Sequence, residues 1–211
     1  MNYCNDYEVI GPSKCDEKRK SREKDIANIW NIIINTPCFH SLYSLFSEAL
    51  NMFREALSCY QNGAYMATAL MCGVCLEAAL IKLTAMRNPK IYGNEVIEYE
   101  INSSISYSEY DEALHKAKSQ GILNGKLENK INKIRAWRNF VAHYVQRKER
   151  KLQKSISLII KKKTVGKSSE EIIILWLSRN NAYTLLKETA ESLSEIIQRT
   201  CKALGIRDST A

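Results

Sequence analysis

The sequence predicts a mainly helical fold, an antiparallel bundle with a basic β-hairpin inserted before the last helix. Three observations carry that reading. Only three prolines and eight glycines occur in 211 residues, and the chain is rich in the helix formers Leu, Ala, Glu and Lys. Several long stretches repeat apolar residues with the 3.6-residue period of a helix that buries one face. One stretch, 154–177, instead gathers β-branched residues around a Gly/Ser-rich middle.

Taken in order, residues 1–36 divide into a polar arm, to about position 23, and a short helix in "EKDIANIWNIII". Pro37 breaks the chain before the main domain, 37–205. "HSLYSLFSEALNMFREALSCYQN" places Leu42, Leu45, Phe46, Ala49, Phe53, Ala56, Leu57 and Tyr60 on one stripe, and Asn62-Gly63 ends that helix in the left-handed region. "AYMATALMCGVCLEAALIKLTAM" is apolar nearly all round, as the most buried helix of a bundle is. The short link between the two makes them an antiparallel hairpin. Residues 87–106 then read as a connector, with one extended piece around Val96 to Ile101. Ser108 starts and Gly121 stops a short helix.

"LNGKLENKINKIRAWRNFVAHYVQ" is a third long helix, with Leu127, Ile131, Ile134, Val141 and Val145 pointing inward. After it, the segment 154–177 admits two readings. It forms strands near 154–164 and 170–177, or "SSEEIIILWLS" already opens the last helix, since Ser followed by Glu is an N-terminal signal. "NNAYTLLKETAESLSEIIQRTCKALG" closes the fold with Leu185, Leu186, Leu193, Ile196 and Ile197 inward and Gly205 at its end. Residues 206–211 are a tail.

The 31 basic and 23 acidic residues give a net charge of +8, which suits an anionic partner by steering and counterion release. No secretory leader is expected at the N-terminus, where acidic residues interrupt any apolar core. The longest apolar stretch is broken by Glu77 and reads as too short and polar to span a bilayer. With seven cysteines, an odd number, the expected setting is a reducing cytoplasm and no membrane. Cys72 and Cys75 form a CxxC within an apolar helix. A metal site would need a second such pair, so these two are expected as core residues. No metal or other cofactor is expected.

The candidate chemistry lies in "IRAWRNFVAHY" at 134–144. His143 can take or give a proton near neutral pH. Arg138 offers an always-charged fork suited to a phosphodiester. Asn139 and His143 stand four apart on one helical face, while Arg138 lies about 140° from His143 on an ideal wheel with a side chain long enough to swing back. The competing reading is an ordinary helix end, with Arg135 and Arg138 solvated.

"RNFVAH" resembles the Arg-x-x-x-x-His signature of the HEPN superfamily. The resemblance extends to "SEALNMFREALSCYQNGAYMATALMCGVCLEAALIKL", with its Leu76-Glu77 pair, to the approach "YDEALHKAKSQGILNGKLENKINKIRAWRNFVAHY" and to the closing "NNAYTLLKETAESLSEII". Relatives often carry an arginine shortly before the Leu-Glu pair, where this chain has Cys72, Gly73, Val74 and Cys75. The resemblance implies an antiparallel four-helix-bundle core of HEPN type. It also implies a homodimeric, metal-independent endoribonuclease acting on single-stranded RNA at a composite interface, in a defence or toxin–antitoxin setting. His143 would move the proton, Arg138 hold the phosphate and Asn139 orient the imidazole or the phosphate. Arg135, Arg147, Lys161, Lys162 and Lys163 would contact the RNA backbone. The alternative is a non-catalytic nucleotide- or RNA-binding or scaffolding module that docks an antitoxin or defence partner.

Replacing 154–177 by a short linker tests the basic track. If Lys161 to Lys163 neutralise three phosphates, the slope of log affinity against log salt flattens by roughly 2. An unchanged slope and affinity would remove the track.

Overall fold

The apolar run near the middle of the chain becomes one helix, and the other elements are arranged around it. The computed structural model describes residues 12–93, 95–101, 110–143 and 178–206. Among these the order is α1 (Pro12–Ile34), α2 (Tyr43–Gln61), α3 (Tyr65–Ala85), β1 (Met86–Tyr92), β2 (Glu95–Ile101), α4 (Tyr110–Ser119), α5 (Gly125–His143) and α6 (Arg179–Ala203). The protein is therefore mainly helical with a small two-stranded sheet.

Helices α2, α4, α5 and α6 all pack on α3. Its buried residues include Ala69, Cys72, Gly73, Cys75, Ala78 and Ala79, small side chains that let neighbours come close on several sides at once. Many of the larger side chains come from the partners. They are Leu45, Phe46, Leu50 and Phe53 of α2, Leu127, Ile131, Ile134, Trp137 and Phe140 of α5, and Leu186, Leu193, Ile196 and Ile197 of α6. Of the inward residues expected on α5, Val141 is only partly buried. Buried threonines bond their own helix, as in Thr84 to the Leu80 carbonyl at 3.0 Å and Thr189 to the Leu185 carbonyl at 2.7 Å, so they enter the core satisfied.

Helix ends follow the expected chemistry. Gly63, Gly121 and Gly205 take positive φ values of 75°, 73° and 68° where helices stop. Asn124 accepts the Leu127 N–H at 2.8 Å ahead of α5, and Ser178, with an extended backbone, caps α6. The last helix thus starts at Arg179. It is not one unbroken element running back to residue 168. The expected strands at 154–164 and 170–177, and Val145, lie outside the described residues.

Three other expectations need correction. Helix α1 begins at Pro12 and not near Glu23, because its polar half docks through specific partners. Arg22 is 1% exposed and donates Nε to the Gln61 carbonyl at 2.8 Å. Asp25 accepts from Tyr60 at 2.6 Å and from Arg179 at 2.7 Å. Tertiary pairing, invisible to hydropathy, makes this segment helical. Second, the connector after α3 is an antiparallel hairpin pairing Met86 with Ile101 and Tyr92 with Glu95. Its first strand holds Asn88 and Pro89, poor strand residues, and a register irregularity between Arg87 and Lys90 accommodates them. Third, α3 is long and apolar enough to cross a membrane by length and composition, despite Glu77, although most of its apolar window is buried by its neighbours.

Cys38, in the turn before α2, is bonded to Cys201 of α6, 163 residues away. No local pattern reveals that pair, which sits oddly with a reducing compartment. Mass analysis after alkylation without reductant is expected to find the two cysteine peptides linked. Reduction should then lower stability by about 2–4 kcal/mol in urea titrations. Unlinked peptides, or a urea midpoint that reductant leaves in place, would show that the bond is not part of the fold.

Candidate functional site

The site begins with a glycine. A Cβ on Gly73 would lie 2.3 Å from Cβ and 2.7 Å from Cγ of Arg138, so α5 presses the stem of that arginine against bare α3 backbone. Only glycine permits such an approach. The guanidinium then runs one turn along α3 and meets Glu77, four residues on from Gly73 and on the same face. Arg138 Nη2 donates to Glu77 Oε2 in a close ion pair. Arg138 Nη1 donates to Asn139 Oδ1 at 2.8 Å. The Arg138 and Glu77 side chains are 24% and 15% exposed, so the pair is only partly screened by water.

One turn earlier on α5, Arg135 makes a second basic–acidic pair with α4. Its Nη1 donates to Asp111 Oδ1 at 2.6 Å, and its guanidinium carbon stands 4.0 Å over the Tyr110 ring, within cation–π range. Tyr110 is 4% exposed. Among the described residues, neither its hydroxyl nor the buried Nε of Arg135 has a hydrogen-bond partner. Burial pushes the Tyr110 phenol above its usual range. The Arg135 charge opposes that rise, Glu77 and Asp111 add to it, and Arg138 opposes it again.

These contacts bear on each candidate residue. Arg138 and Asn139 are in direct contact. Arg138 is not the solvated arginine of an ordinary helix end. Arg135 is already neutralised by Asp111 and is not a bare cation waiting for a phosphate. His143 is the last described residue of α5, five positions beyond Arg138. Its side chain, with Arg147, Lys161, Lys162 and Lys163, lies outside the described residues. Cys72 and Cys75 are fully buried thiols. Burial pushes Cys72 up to about 12 against an opposing hydrogen bond with Thr189, and pushes Cys75 well above the thiol range, as for inert core cysteines. Among the described residues, no three His, Cys, Asp or Glu side chains gather as metal ligands would.

Sequence reasoning missed Gly73, Tyr110 and Asp111, and it quoted Glu77 without giving it a partner. One signal was present. A glycine alone inside an apolar helix is costly and marks a close approach. What approached it was not legible.

The family model described as Domain of unknown function (DUF4145) matches residues 54–162, a span holding α3, α4, α5 and both arginine pairs. No significant match is found among curated proteins or among solved structures.

Adding a single methyl tests the close approach. Gly73→Ala is expected to cost about 1–3 kcal/mol through overpacking against Arg138. Gly125→Ala, with open space around its Cβ, should be neutral or stabilise by about 0.5 kcal/mol. Urea midpoints compare the two, and a Gly73→Ala protein as stable as the parent would contradict this packing.

Proposed function

The chain belongs to the DUF4145 family, and from the Arg138 site we propose that it is a metal-independent endoribonuclease of HEPN type acting on single-stranded RNA. The observation that supports this most is the treatment of Arg138. Its guanidinium is anchored through its stem, oriented by Asn139 and held at the rim of the core on the helix that ends in His143. An arginine preorganised in this way presents a fixed fork to a phosphate at little further entropic cost. The mutual packing of α2, α3, α5 and α6 agrees with a four-helix core of that type.

In the proposed reaction an imidazole of His143 removes the proton from a ribose 2′-hydroxyl. That oxygen attacks the adjacent phosphorus, the bond from phosphorus to the 5′-oxygen breaks, and a second imidazole returns a proton to the departing oxygen. The products are a 2′,3′-cyclic phosphate and a free 5′-hydroxyl. Arg138 holds the phosphoryl oxygens as negative charge builds on them. One histidine cannot be base and acid in the same step, so a homodimer that supplies two is part of the proposal. So are RNA as partner, the cytoplasm as setting, and an antitoxin or defence protein as regulator. Arg147 and Lys161 to Lys163 would follow the RNA backbone.

A second reading has its own support. Arg138 is already engaged by Glu77 and Asn139, as in an ion pair that only holds α5 to α3. The chain would then be a non-catalytic nucleotide- or RNA-binding or scaffolding module.

Labelled single-stranded RNA incubated with the protein in excess EDTA separates them. The enzyme reading expects cleavage, reduced at least about 100-fold in both Arg138→Ala and His143→Ala, with fold and dimer intact. RNA binding without cleavage, indifferent to both substitutions, would establish the module instead.

A further inference from the structure

We propose that Tyr110 is a positioning residue of the Arg138 site, the spare donor that takes over Glu77 when Arg138 turns to a phosphate. The inference rests on the reading that Arg138 binds phosphate, and it answers the difficulty raised by the second reading. Arg138 is committed to Glu77. If it simply left, a carboxylate that is 15% exposed would remain uncompensated, a penalty large enough to hold the arginine where it is.

Two donors in the adjoining Arg135–Tyr110 cluster are idle among the described residues. The Tyr110 hydroxyl is buried without a partner, and so is Arg135 Nε. An orphaned buried hydroxyl is disfavoured and uncommon in native proteins, so its persistence asks for a reason. Tyr110 opens α4, which packs on α3, the helix that carries Glu77. Its phenol senses the charges of both Glu77 and Arg138. The ring is held from the other side by Arg135, stacked at 4.0 Å and tied to Asp111 at 2.6 Å. A hydroxyl free to rotate about its C–O bond and idle among the described residues, on a ring that Arg135 holds one helical turn from Arg138, suits a carboxylate that loses its first partner. Arg135 therefore serves to fix the tyrosine and is not itself a phosphate ligand. The exchange moves no covalent bond: one hydrogen bond to Glu77 replaces another, and the tyrosine stays neutral throughout.

A coupling measurement tests this. The probe is a 2′-O-methyl oligoribonucleotide, which lacks the attacking hydroxyl, so affinity is read without turnover. Tyr110→Phe keeps the ring and its stacking on Arg135, and removing an unsatisfied hydroxyl leaves stability unchanged or slightly higher. Affinity is expected to fall about tenfold in the parent background and by less than about twofold where Glu77→Gln has removed the charge that needs a partner. Equal loss in both backgrounds, no loss in either, or no binding of the probe by the parent protein would each overturn the proposal. Cleavage of unmodified RNA by the parent protein decides the ribonuclease reading separately. A protein that binds the probe with this coupling and cuts nothing keeps Tyr110 in its role and loses the enzyme.

Discussion

The approach of α5 to the bare backbone at Gly73 is the constraint on which the rest of the site depends. It puts the first carbons of Arg138 where no other residue's side chain could tolerate them. The long arginine then has one direction left, along α3 towards Glu77. Helix packing places the stem of the side chain, and Glu77 and Asn139 hold its guanidinium. The same approach draws Arg135 against α4, so that three helices meet through two arginine–carboxylate pairs and one aromatic ring.

Electrostatically the cluster is balanced, with Arg135 and Arg138 opposed by Asp111 and Glu77. Balance explains how two guanidinium groups can sit at the edge of an apolar core. It also means that the chain's overall charge of +8 does not act here as a bare positive patch. On the proposed reading, an incoming phosphate would have to compete with a resident carboxylate. Such a site would be selective, because only a ligand offering the fork a geometry as good as Glu77 does could displace it. It would also be open to regulation, since anything that strengthened the internal pair would weaken ligand binding.

Much of the fold was legible because its long helices bury single stripes. The eight apolar positions from Leu42 to Tyr60, and the five from Leu185 to Ile197, are all in the core, as their spacing requires. What was illegible shares one physical character. The middle of α1 is held by Arg22 and Asp25, which find Gln61, Tyr60 and Arg179. The Cys38–Cys201 bond joins residues from opposite ends of the domain. The β1 strand tolerates Pro89 only through an irregular register. The first two are decided by partners distant in sequence and the third by pairing with the next strand, none of which periodicity contains. The site divides in the same way: the Arg138–Asn139 neighbours were read directly, whereas Glu77, Gly73 and Tyr110 entered only once three helices were placed together.

The central claim is that the Arg138 guanidinium exchanges between Glu77 and a phosphate, and its own Nε–H resonance reports this most directly. In protein carrying 15N-labelled arginine, titration with a 2′-O-methyl oligoribonucleotide should shift the Arg138 side-chain signal in step with binding, and Glu77→Gln should bring on that shift at lower oligonucleotide concentration. A signal that stays in place while other resonances record binding would mean that Arg138 never leaves Glu77, and that the pair only holds two helices together.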